Sequence, residues 1–409
     1  MGGKAALLMV LSFSVVFLVY GNRFVWLTTD SVENLVDYYT ETKAHNIAVS
    51  GANMAANELF FDGDWTAGFT NLPYNDGEIN VEVKIDTSEK IVISKGEYAG
   101  AIREVRVRFK PSSFAKFAYY MDLFGGNDVF KTGDTIWGPM HTNGSLGTEG
   151  SPVFYGKATS KLGLKMNAPK DPQFYGGYES GVDIPFTFDT TGIPTAAATN
   201  GKLYPGGPQD VRLVFNSDQT VTWSIDPLMN GTWSAPVTEP LSTFAPNGVI
   251  WNNKGNLYVS GTVNGQYTIG VGISSGIGNG NVYVENDIVY RTDPIEDPKC
   301  TDMLGIVSGN SVIISPNSDN YSDVNIHASI LATQGGIMIE DLSKFPPSGT
   351  LYLAGGIIGK QNQDFALLDK LGNVTNGYDL KLKYDERFMV VAPPAYPNTN
   401  TIEIVSWYE

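Results

Sequence analysis

Cysteine, histidine and basic residues are scarce in this chain of 409 residues. Its single cysteine, Cys300, excludes an internal disulfide framework, a thiolate zinc cage and a CxxC redox site. Lys+Arg total 27 against Asp+Glu 43, which gives a formal net charge of −16. Binding to a phosphate backbone depends on clustered Lys and Arg, so this acidic balance argues against a nucleic-acid partner.

The histidines number three, His45, His141 and His327, and leave little material for imidazole catalysis or a histidine metal centre. We expect His141 to bond to backbone in a turn, His327 to be a polar residue of a strand ladder, and His45 to lie at a helix contact or in solvent. The sequence contains no nucleophile elbow, hydrolase triad signature or phosphate-binding loop. It therefore predicts no metal site, no cofactor and no enzymatic activity.

What the chain has in quantity is glycine and aromatic residues: 45 Gly, 21 Tyr and 20 Phe, with only 17% charged residues. This balance is typical of β-rich surface proteins. At 42% hydrophobic residues the chain is not expected to be disordered. Its length predicts one large domain or two medium ones.

The N-terminus begins with an uncharged apolar run, Ala5 to Tyr20. No small-x-small cleavage site follows it, so a secretory signal peptide is not favoured. Ala5 to Leu27 supplies the ~20 residues that cross a bilayer if Arg23 lies at the interface. We predict an anchor with Lys4 and the amino terminus inside.

Beyond the apolar run, Thr28 to Phe61 has no proline and places apolar residues at helical spacing. A helix from Lys4 to Phe61 would extend roughly 87 Å at ~1.5 Å per residue. Gly51 weakens such a helix by up to ~1 kcal/mol without having to break it. The turn residues from Asp62 to Trp65 end it.

A long helix that is apolar first and amphipathic later resembles the N-terminal stalk of type IV pilin-like proteins. MGG before KAALLMVLSF looks like a short leader, and the resemblance implies cleavage after Gly3 that leaves Lys4 first. Major pilins carry a glutamate at the fifth mature position, where this chain has Leu8. TKAHNIAVSGANMAANELF, GPMHTNG and PVF are similar to segments of minor-pilin-like proteins that carry a large extracellular domain.

The remainder is predicted to be strands and turns. Ile79 to Ile85 and Ile102 to Phe109 alternate apolar and polar residues, which predicts a small antiparallel sheet. Phe114 to Phe124 is expected to pack on that sheet as a short helix or strand. Three terminal strands are predicted at Tyr378 to Lys383, Phe388 to Ala392 and Thr401 to Trp407, where they would cap the open end of the head.

A loose internal repeat lies between Gly248 and Gly359. Its segments are GNLYVSG, GNVYVEN, GNSVIIS, VNIHAS, GIMIED and GTLYLAG. Such segments stack into a continuous core when each coil pairs with its neighbours. The fold class predicted is therefore α+β, a long helix followed by a mainly β head, as a right-handed parallel β-helix with a β-sandwich as the alternative.

The predicted organisation has four parts: residues 1–61 as hydrophobic helix and stalk, 62–133 as a small β-sheet subdomain, 134–366 as a solenoid-like head with an insertion at about 167–246, and 367–409 as capping strands.

An enzymatic head that cleaves polysaccharides would need a pair of carboxylates close together. Glu285 and Asp287 alternate onto one face, as a pair of acids that cleaves glycosides would. The acidic loops TDPIEDP and NSDNYSD supply oxygen ligands of the kind calcium takes, and we expect solvated turns in both. Packing is the favoured interpretation of three aromatic pairs, which are otherwise candidate platforms for sugars or partner subunits: Tyr119 with Tyr120, Tyr175 with Tyr178, and Trp251 with Tyr258.

The resemblance implies a structural subunit of a type IV pilus-like filament or its tip, in the inner membrane before assembly and then in an extracellular filament or on the cell surface. It also implies a head exposed for adhesion or surface interaction. The partners it implies are like subunits or other pilins and, before assembly, the membrane, and surface glycans are candidate partners of the head. The alternative is a membrane-anchored, polysaccharide-acting β-helix enzyme. The residues assigned to the assembly helix are Ala5, Leu7, Leu8, Leu11, Val15, Phe17 and Leu18, with Arg23, Asp30 and Glu33 as register-setting charges.

Overall fold

The computed structural model describes residues 2–86, 89–124, 128–188, 191–273, 280–297, 299–369 and 373–409. Within this part the helices are α1 (Gly2–Phe61), α2 (Gly192–Asn200) and α3 (Leu241–Phe244). The chain divides into two compact units, one of residues 1–111 with 401–409 and one of residues 112–400, which we call the head. Met1 of the predicted leader and Pro298 of the TDPIEDP loop lie outside the described residues.

The strands of the described part are, in chain order, β1 (Phe69–Tyr74), β2 (Gly77–Asp86), β3 (Glu89–Tyr98), β4 (Ala101–Ser113), β5 (Tyr119–Leu123), β6 (Phe130–Lys131), β7 (Thr135–Ile136), β8 (Met140–Thr142), β9 (Leu146–Gly150), β10 (Val153–Phe154), β11 (Ala158–Ser160), β12 (Leu164–Lys170), β13 (Gln173–Phe174), β14 (Tyr178–Ser180) and β15 (Lys202–Tyr204). They continue with β16 (Asp210–Asn216), β17 (Thr220–Asp226), β18 (Val237–Pro240), β19 (Val249–Asn252), β20 (Leu257–Val263), β21 (Gln266–Val271), β22 (Val282–Tyr290), β23 (Met303–Ser308), β24 (Val312–Ile314), β25 (Val324–Ala332), β26 (Ile337–Ile339), β27 (Pro347–Gln361), β28 (Ala366–Leu368), β29 (Val374–Lys383) and β30 (Asn398–Tyr408). Short 3-10 helices cover Phe114–Lys116, Ser318–Asn320, Leu342–Lys344 and Glu386–Met389.

The first unit combines the long helix with a five-stranded sheet in the order β1-β2-β3-β4-β30. α1 runs without interruption for 60 residues, which confirms the predicted helix. β1 to β4 form an antiparallel meander, so the two predicted strands of the small sheet are present. Helix and sheet share a buried core of Ile47, Ala48, Ala52, Ala55, Leu59, Ile79, Val81, Val92, Val105, Val107 and Phe109.

The helix approaches this sheet closely at two glycines. A Cβ on Gly96 would come within 2.2 Å of the carbonyl oxygen of Ala44 and 2.4 Å of the amide nitrogen of Ala48. A Cβ on Gly51 would lie 2.4 Å from Oγ of Ser94. That hydroxyl is buried and donates to the carbonyl of Ala48 at 2.7 Å, so it joins strand to helix backbone. Gly51 therefore serves packing, which the sequence did not reveal.

The head contains one long ladder of parallel strands. Successive pairings give the order β15-β19-β21-β23-β25-β27-β5-β8-β11-β14. This spatial order differs from chain order. The run β5 to β14 extends the ladder in one direction, and the later run β15 to β27 returns to meet β5. The meeting point pairs Ile357 with Tyr119 and Ile358 with Tyr120.

A second parallel series, β16-β20-β22-β24-β26, shows how the core forms. Its registers align the residues Val211, Leu257, Val282, Val312 and Ile337 into one column. All five side chains are buried. Apolar residues at the same place in each coil thus stack into a continuous interior, as the repeat predicts.

The remaining strand pairings of the head are partly parallel and partly antiparallel. β6, β9 and β12 pair in parallel, as do β7, β10 and β13, whereas β16-β17-β18 and β28-β29 are antiparallel. The sheets are mixed and curled, and the α+β class with a long helix and a β-rich head is confirmed. The right-handed parallel β-helix stays a prediction.

All six repeat segments fall in strands of the head, in β20, β22, β24, β25, β26 and β27. Phe114 to Phe124 does not pack on the small sheet as expected. It forms a 3-10 turn and β5, which pairs with β8 and β27 inside the head.

Two of the three terminal segments also differ from expectation. The segment from Phe388 is not a strand, because Glu386–Met389 is a 3-10 helix whose first turn is capped by Asp385. Thr401 to Trp407 lies in β30 next to β4 of the first unit, where Ile402 and Trp407 pack against the core of that unit.

Candidate assembly helix and head surfaces

The first two-thirds of α1 are exposed. Every described side chain from residue 3 to residue 39 is exposed, whereas the helix alternates between buried and exposed positions from Lys43 onward. The apolar residues predicted to act in assembly are Leu7, Leu8, Leu11, Val15, Phe17 and Leu18, which are 55% to 74% exposed, together with Ala5. In the described part, the helix Gly3–Phe61 alone is long and apolar enough to cross a membrane, by length and composition.

These apolar residues surround the helix. At about 100° per residue, Leu7, Leu11 and Leu18 share one face, whereas Phe17 and Ala5 point elsewhere. A helix that is apolar on all sides is suited to an environment that is apolar on all sides, either lipid or a bundle of similar helices. Water is not such an environment.

Several hydroxyl groups of this segment, those of Ser12, Thr28, Thr29 and Ser31, bond to carbonyls of their own helix. Ser12 donates to the carbonyl of Leu8 at 2.8 Å, and Ser31 donates to the carbonyl of Leu27 at 2.6 Å. Back-bonding of this kind removes an unpaired donor from an apolar surrounding. The Ser12 and Ser31 hydroxyls therefore do not oppose burial of the helix.

The three predicted register charges, Arg23, Asp30 and Glu33, are exposed on α1. Arg23 and Asp30 are seven residues apart, so they lie on one side of the helix and about 10 Å apart along it. Within the described residues no ion pair joins any of the three to another group. Each is available to a charge on a neighbouring molecule.

The predicted cleavage residues Gly3 and Lys4 lie in the first turn of α1. A Cβ on Gly3 would meet no atom within 4 Å, and Lys4 is exposed. Leu8, the fifth residue after the predicted cleavage point, is 66% exposed.

Polar contacts attach α1 to its sheet in the segment from Glu41 to His45. Nζ of Lys43 lies 3.2 Å from Asp76 and 4.1 Å from the centre of the Tyr98 ring. Arg103 lies 2.5 Å from Glu41. Nε2 of His45 lies 3.5 Å from Glu409, so this histidine makes a contact with the last residue of the chain.

His141 is fully buried inside a side-chain network of the head, not bonded to backbone as expected. Its Nδ1 lies 2.8 Å from Oγ1 of Thr159, and its Nε2 lies 2.9 Å from Oδ1 of Asn143. The Asn143 amide donates to Asp122 at 2.8 Å and to the carbonyl of Ile184 at 2.8 Å. Those two acceptors orient the amide so that Oδ1 faces the ring, and Nε2 therefore carries the proton.

The pKa of His141 is lowered below 6.5, chiefly because burial disfavours the charged ring. The hydrogen bond with Asn143 and the charges of Asp183 and Asp122 act in the opposite direction. His327 follows the same rule, since burial lowers its pKa too. Its Nδ1 accepts from the backbone amide of Tyr290 at 3.2 Å. Both rings thus have structural partners in the head.

Glu285 and Asp287 do not form a pair of free acids. Glu285 makes a two-point ion pair with Arg212, at 2.7 Å for both contacts. The guanidinium of Arg212 also stacks on Trp233 at 4.0 Å. Asp287 accepts from the backbone and side-chain nitrogens of Asn325, at 2.8 and 3.2 Å. Glu285 of β22 therefore links to β16 across the intervening strand β20, and Asp287 links β22 to its neighbour β25.

The acidic loops bond to their own backbone. Asp293 accepts from the amide of Ile295 at 2.8 Å, and Asp297 accepts from the amide of Lys299 at 2.9 Å. In the other loop, Asn317 caps the 3-10 helix that follows it. Among the described residues no group of three or more His, Cys, Asp or Glu side chains is arranged to hold a metal ion.

Aromatic residues cluster more than their spread along the sequence indicates. Trp137, Tyr155 and Tyr175 stack in one exposed column, with ring centres 4.2 and 5.3 Å apart. Trp251 is buried, as expected from packing. Each ring of the column is followed by glycine, in IWG, FYG and FYG. This recurring aromatic-glycine pair is the sequence signal that could have predicted the column. It lies before Gly248, where the recognised repeat begins.

Comparison with known proteins gives limited matches. A family described as a domain of unknown function (DUF4900) matches residues 71–162. A solved pilin is a structural neighbour of this chain. It is the competence-associated pilin ComZ from Thermus thermophilus, at 12% sequence identity and a TM-score of 0.35, over 90% of this chain and 97% of that one. No curated protein matches. At this identity the two chains share little sequence, and the proposed function depends on this chain's own residues.

Proposed function

We propose that this chain is a structural subunit of a type IV pilus-like extracellular filament or of its tip. The first half of α1 mediates assembly, and the β-rich head is exposed for adhesion or surface interaction. Before assembly the helix resides in the inner membrane. The partners are further copies of the chain or other pilins, which supply like helices.

The observation that carries this proposal is the exposure of the apolar half of α1. A helix of 60 residues packs on its own sheet only from about Lys43 onward. Apolar side chains such as Leu8, Phe17 and Leu18 are left 66% to 74% exposed. Burying that much apolar surface is favourable by about 25 cal/mol per Å², so the helix requires an apolar partner. Lipid supplies this apolar environment before assembly, and a bundle of like helices supplies it afterwards.

Charges then give the bundle its register. In the proposed filament, Arg23 of one subunit meets Asp30 or Glu33 of the next. Removal from water costs several kcal/mol per ion in a dry site, and a well-placed pair offsets that cost, whereas a misplaced one does not. A shift of one helix against its neighbour would therefore be unfavourable.

For the head we propose a right-handed parallel β-helix, supported by the parallel ladders and by the buried column from Val211 to Ile337. A head of this size favours a minor or tip position over tight packing along a thin filament. The sequence similarity of MGG-KAALL to pilin leaders supports cleavage between Gly3 and Lys4.

The test uses immunogold microscopy of the sheared surface fraction from the native host. An epitope inserted between Gly206 and Gly207 is accessible, since both residues are exposed and a Cβ on either would meet no atom within 4 Å. Gold should label filaments. Arg23→Glu should lower the number of labelled filaments at least ten-fold, and combining it with Asp30→Lys or with Glu33→Lys should restore them in at least one of the two double variants.

Lys254→Glu is the matched control, because Lys254 is an exposed basic residue of the head. It should leave filament number unchanged. Gold confined to membrane fragments, with no labelled filament in the wild type, would overturn the proposal.

A further inference from the structure

Three aromatic rings form an exposed column on the head. Trp137 and Tyr155 lie with ring centres 4.2 Å apart and an interplanar angle of 15°. Tyr155 and Tyr175 lie 5.3 Å apart at 18°. The rings belong to three successive coils, directly after the parallel strands β7, β10 and β13.

The local sequence explains why these rings point outward. A Cβ on Gly156 would come within 2.1 Å of the carbonyl oxygen of Gly138, and a Cβ on Gly176 within 2.2 Å of the carbonyl carbon of Gly156. Only glycine fits at this bend. The residue two positions before each of these glycines turns inward instead, and Phe154 stacks on Phe174 at 4.8 Å.

The outer column is more exposed than its packing requires. Trp137 is 52%, Tyr155 44% and Tyr175 68% exposed. Tyr155 lies between the other two rings, and the nearly parallel rings of Tyr155 and Tyr175, with centres 5.3 Å apart, are offset, so that part of their faces is uncovered. Offset stacking of aromatic rings has this property.

Few other apolar side chains are exposed on the coils that carry the column. In residues 134–180 the other exposed large apolar side chains are Leu162 and Met166. Lys157, directly before β11, and Glu179 of the neighbouring strand β14 form an ion pair at 2.6 Å and are each more than half exposed. A protein interface has a broader apolar centre with a polar rim. The column differs from such an interface, because it is a narrow row of aromatic rings with hydrogen-bonding side chains on the same coils.

We propose that this column binds a polysaccharide chain. A sugar ring has a flat face of C–H groups and an edge of hydroxyls. The C–H faces would pack on the uncovered parts of the three rings, and the hydroxyls would bond to Lys157, Glu179 and water. This inference rests on the proposed function only in that the head is exposed outside the cell, and it names the surface that makes contact there.

The test is native electrophoresis of the full chain in non-ionic detergent. The gels contain hydroxyethyl cellulose, laminarin, xylan or dextran, and one gel contains no polysaccharide. We expect retardation in at least one polysaccharide gel. Loss of one ring should weaken the apparent affinity about ten-fold in Trp137→Ala and in Tyr175→Ala, whereas Tyr175→Phe should bind as the wild type does.

Tyr74→Ala is the matched control, because Tyr74 is 41% exposed and lies in the other unit. Tyr175→Leu, which keeps an apolar side chain without a ring, replaces Tyr175→Ala if that variant does not fold. Absence of retardation in all gels would overturn the proposal. So would equal weakening in Tyr74→Ala, or a dimer that Trp137→Ala dissociates without any polysaccharide binding. A chain that forms filaments but is not retarded contradicts this inference alone.

Discussion

Gly96 of the sheet lies directly under Ala44 of the long helix, with 2.2 Å between the position of a Cβ and the carbonyl oxygen of Ala44. A side chain at this point would move the helix away from the sheet. The contact fixes where α1 stops being exposed and becomes part of the folded unit. Gly51 and Ser94 make the corresponding contact further along the helix.

Gly96→Ala should therefore destabilise the first unit. Overpacking against backbone atoms costs about 1–3 kcal/mol, because neither the Ala44 carbonyl nor the Ala48 amide can rotate away. Gly63→Ala is the control, since a Cβ there would meet no atom within 4 Å, and it should change the free energy of unfolding by less than about 0.5 kcal/mol. Chemical denaturation of both variants measures the difference. Equal stability would contradict the close packing.

Gly51→Ala opposes two effects: the higher helix propensity of alanine and the close packing of the helix on the sheet. Alanine gains about 1 kcal/mol over glycine in a helix interior. The added methyl group would lie 2.4 Å from Oγ of Ser94 and 2.7 Å from a methyl carbon of Ile79, which costs more than the gain. We expect a lower melting temperature for Gly51→Ala. Gly21→Ala, where no atom is within 4 Å, should not lower it. A rise in the melting temperature of Gly51→Ala would show that the helix is not held to the sheet there.

His141 makes the stability of the head depend on pH. Burial holds its pKa below 6.5 in the folded chain, whereas the pKa of this histidine in the unfolded chain is about 6.5. Between these two values the unfolded chain binds more protons, so the free energy of unfolding falls as the pH drops below about 6.5.

In His141→Gln this contribution is absent. Its melting temperature should fall less than that of the wild type between about pH 7.5 and about pH 5.5, measured by calorimetry. Asp134 and Asp210 have raised pKa values because of burial and act in the opposite direction, but they are common to both proteins and cancel in the difference. An identical fall in both proteins would refute the assignment.

The head is inserted into the first unit, which suggests that it can be removed. The first unit resumes at Thr401, and Lys110 of β4 lies 3.4 Å from Glu403 of β30. Within the head, Thr399 donates to the carbonyl of Ser112 at 3.1 Å, so the two ends of the insertion are adjacent. A short Gly-Ser linker in place of residues 112–400 should leave a folded helix and sheet. Circular dichroism and cooperative melting measure this, and an insoluble or non-cooperative product would contradict it.

Local pattern was sufficient for several elements. The predicted helix from Lys4 to Phe61 differs from α1 by two residues, because apolar spacing and the Asp62 turn are local signals. The strands within β2 and β4 followed from alternation of apolar and polar residues. The repeat segments were identified as strands because each carries its own glycine or asparagine and apolar run.

Contacts between residues far apart in the chain could not be predicted from local pattern. The pairing of Ile357 with Tyr119 joins residues far apart in the chain, and no local pattern specifies it. The same holds for β30 beside β4 and for the Asn143 network around His141. The aromatic column needed the coil register, since Trp137 and Tyr175 are neighbours of Tyr155 only after the coils stack.

Mass spectrometry of the chain in the sheared surface fraction tests the central claim most directly. If the apolar helix is an assembly element, the mature chain should begin at Lys4 and be recovered with filaments. A chain that retains Met1 and stays entirely in the membrane fraction would contradict the account.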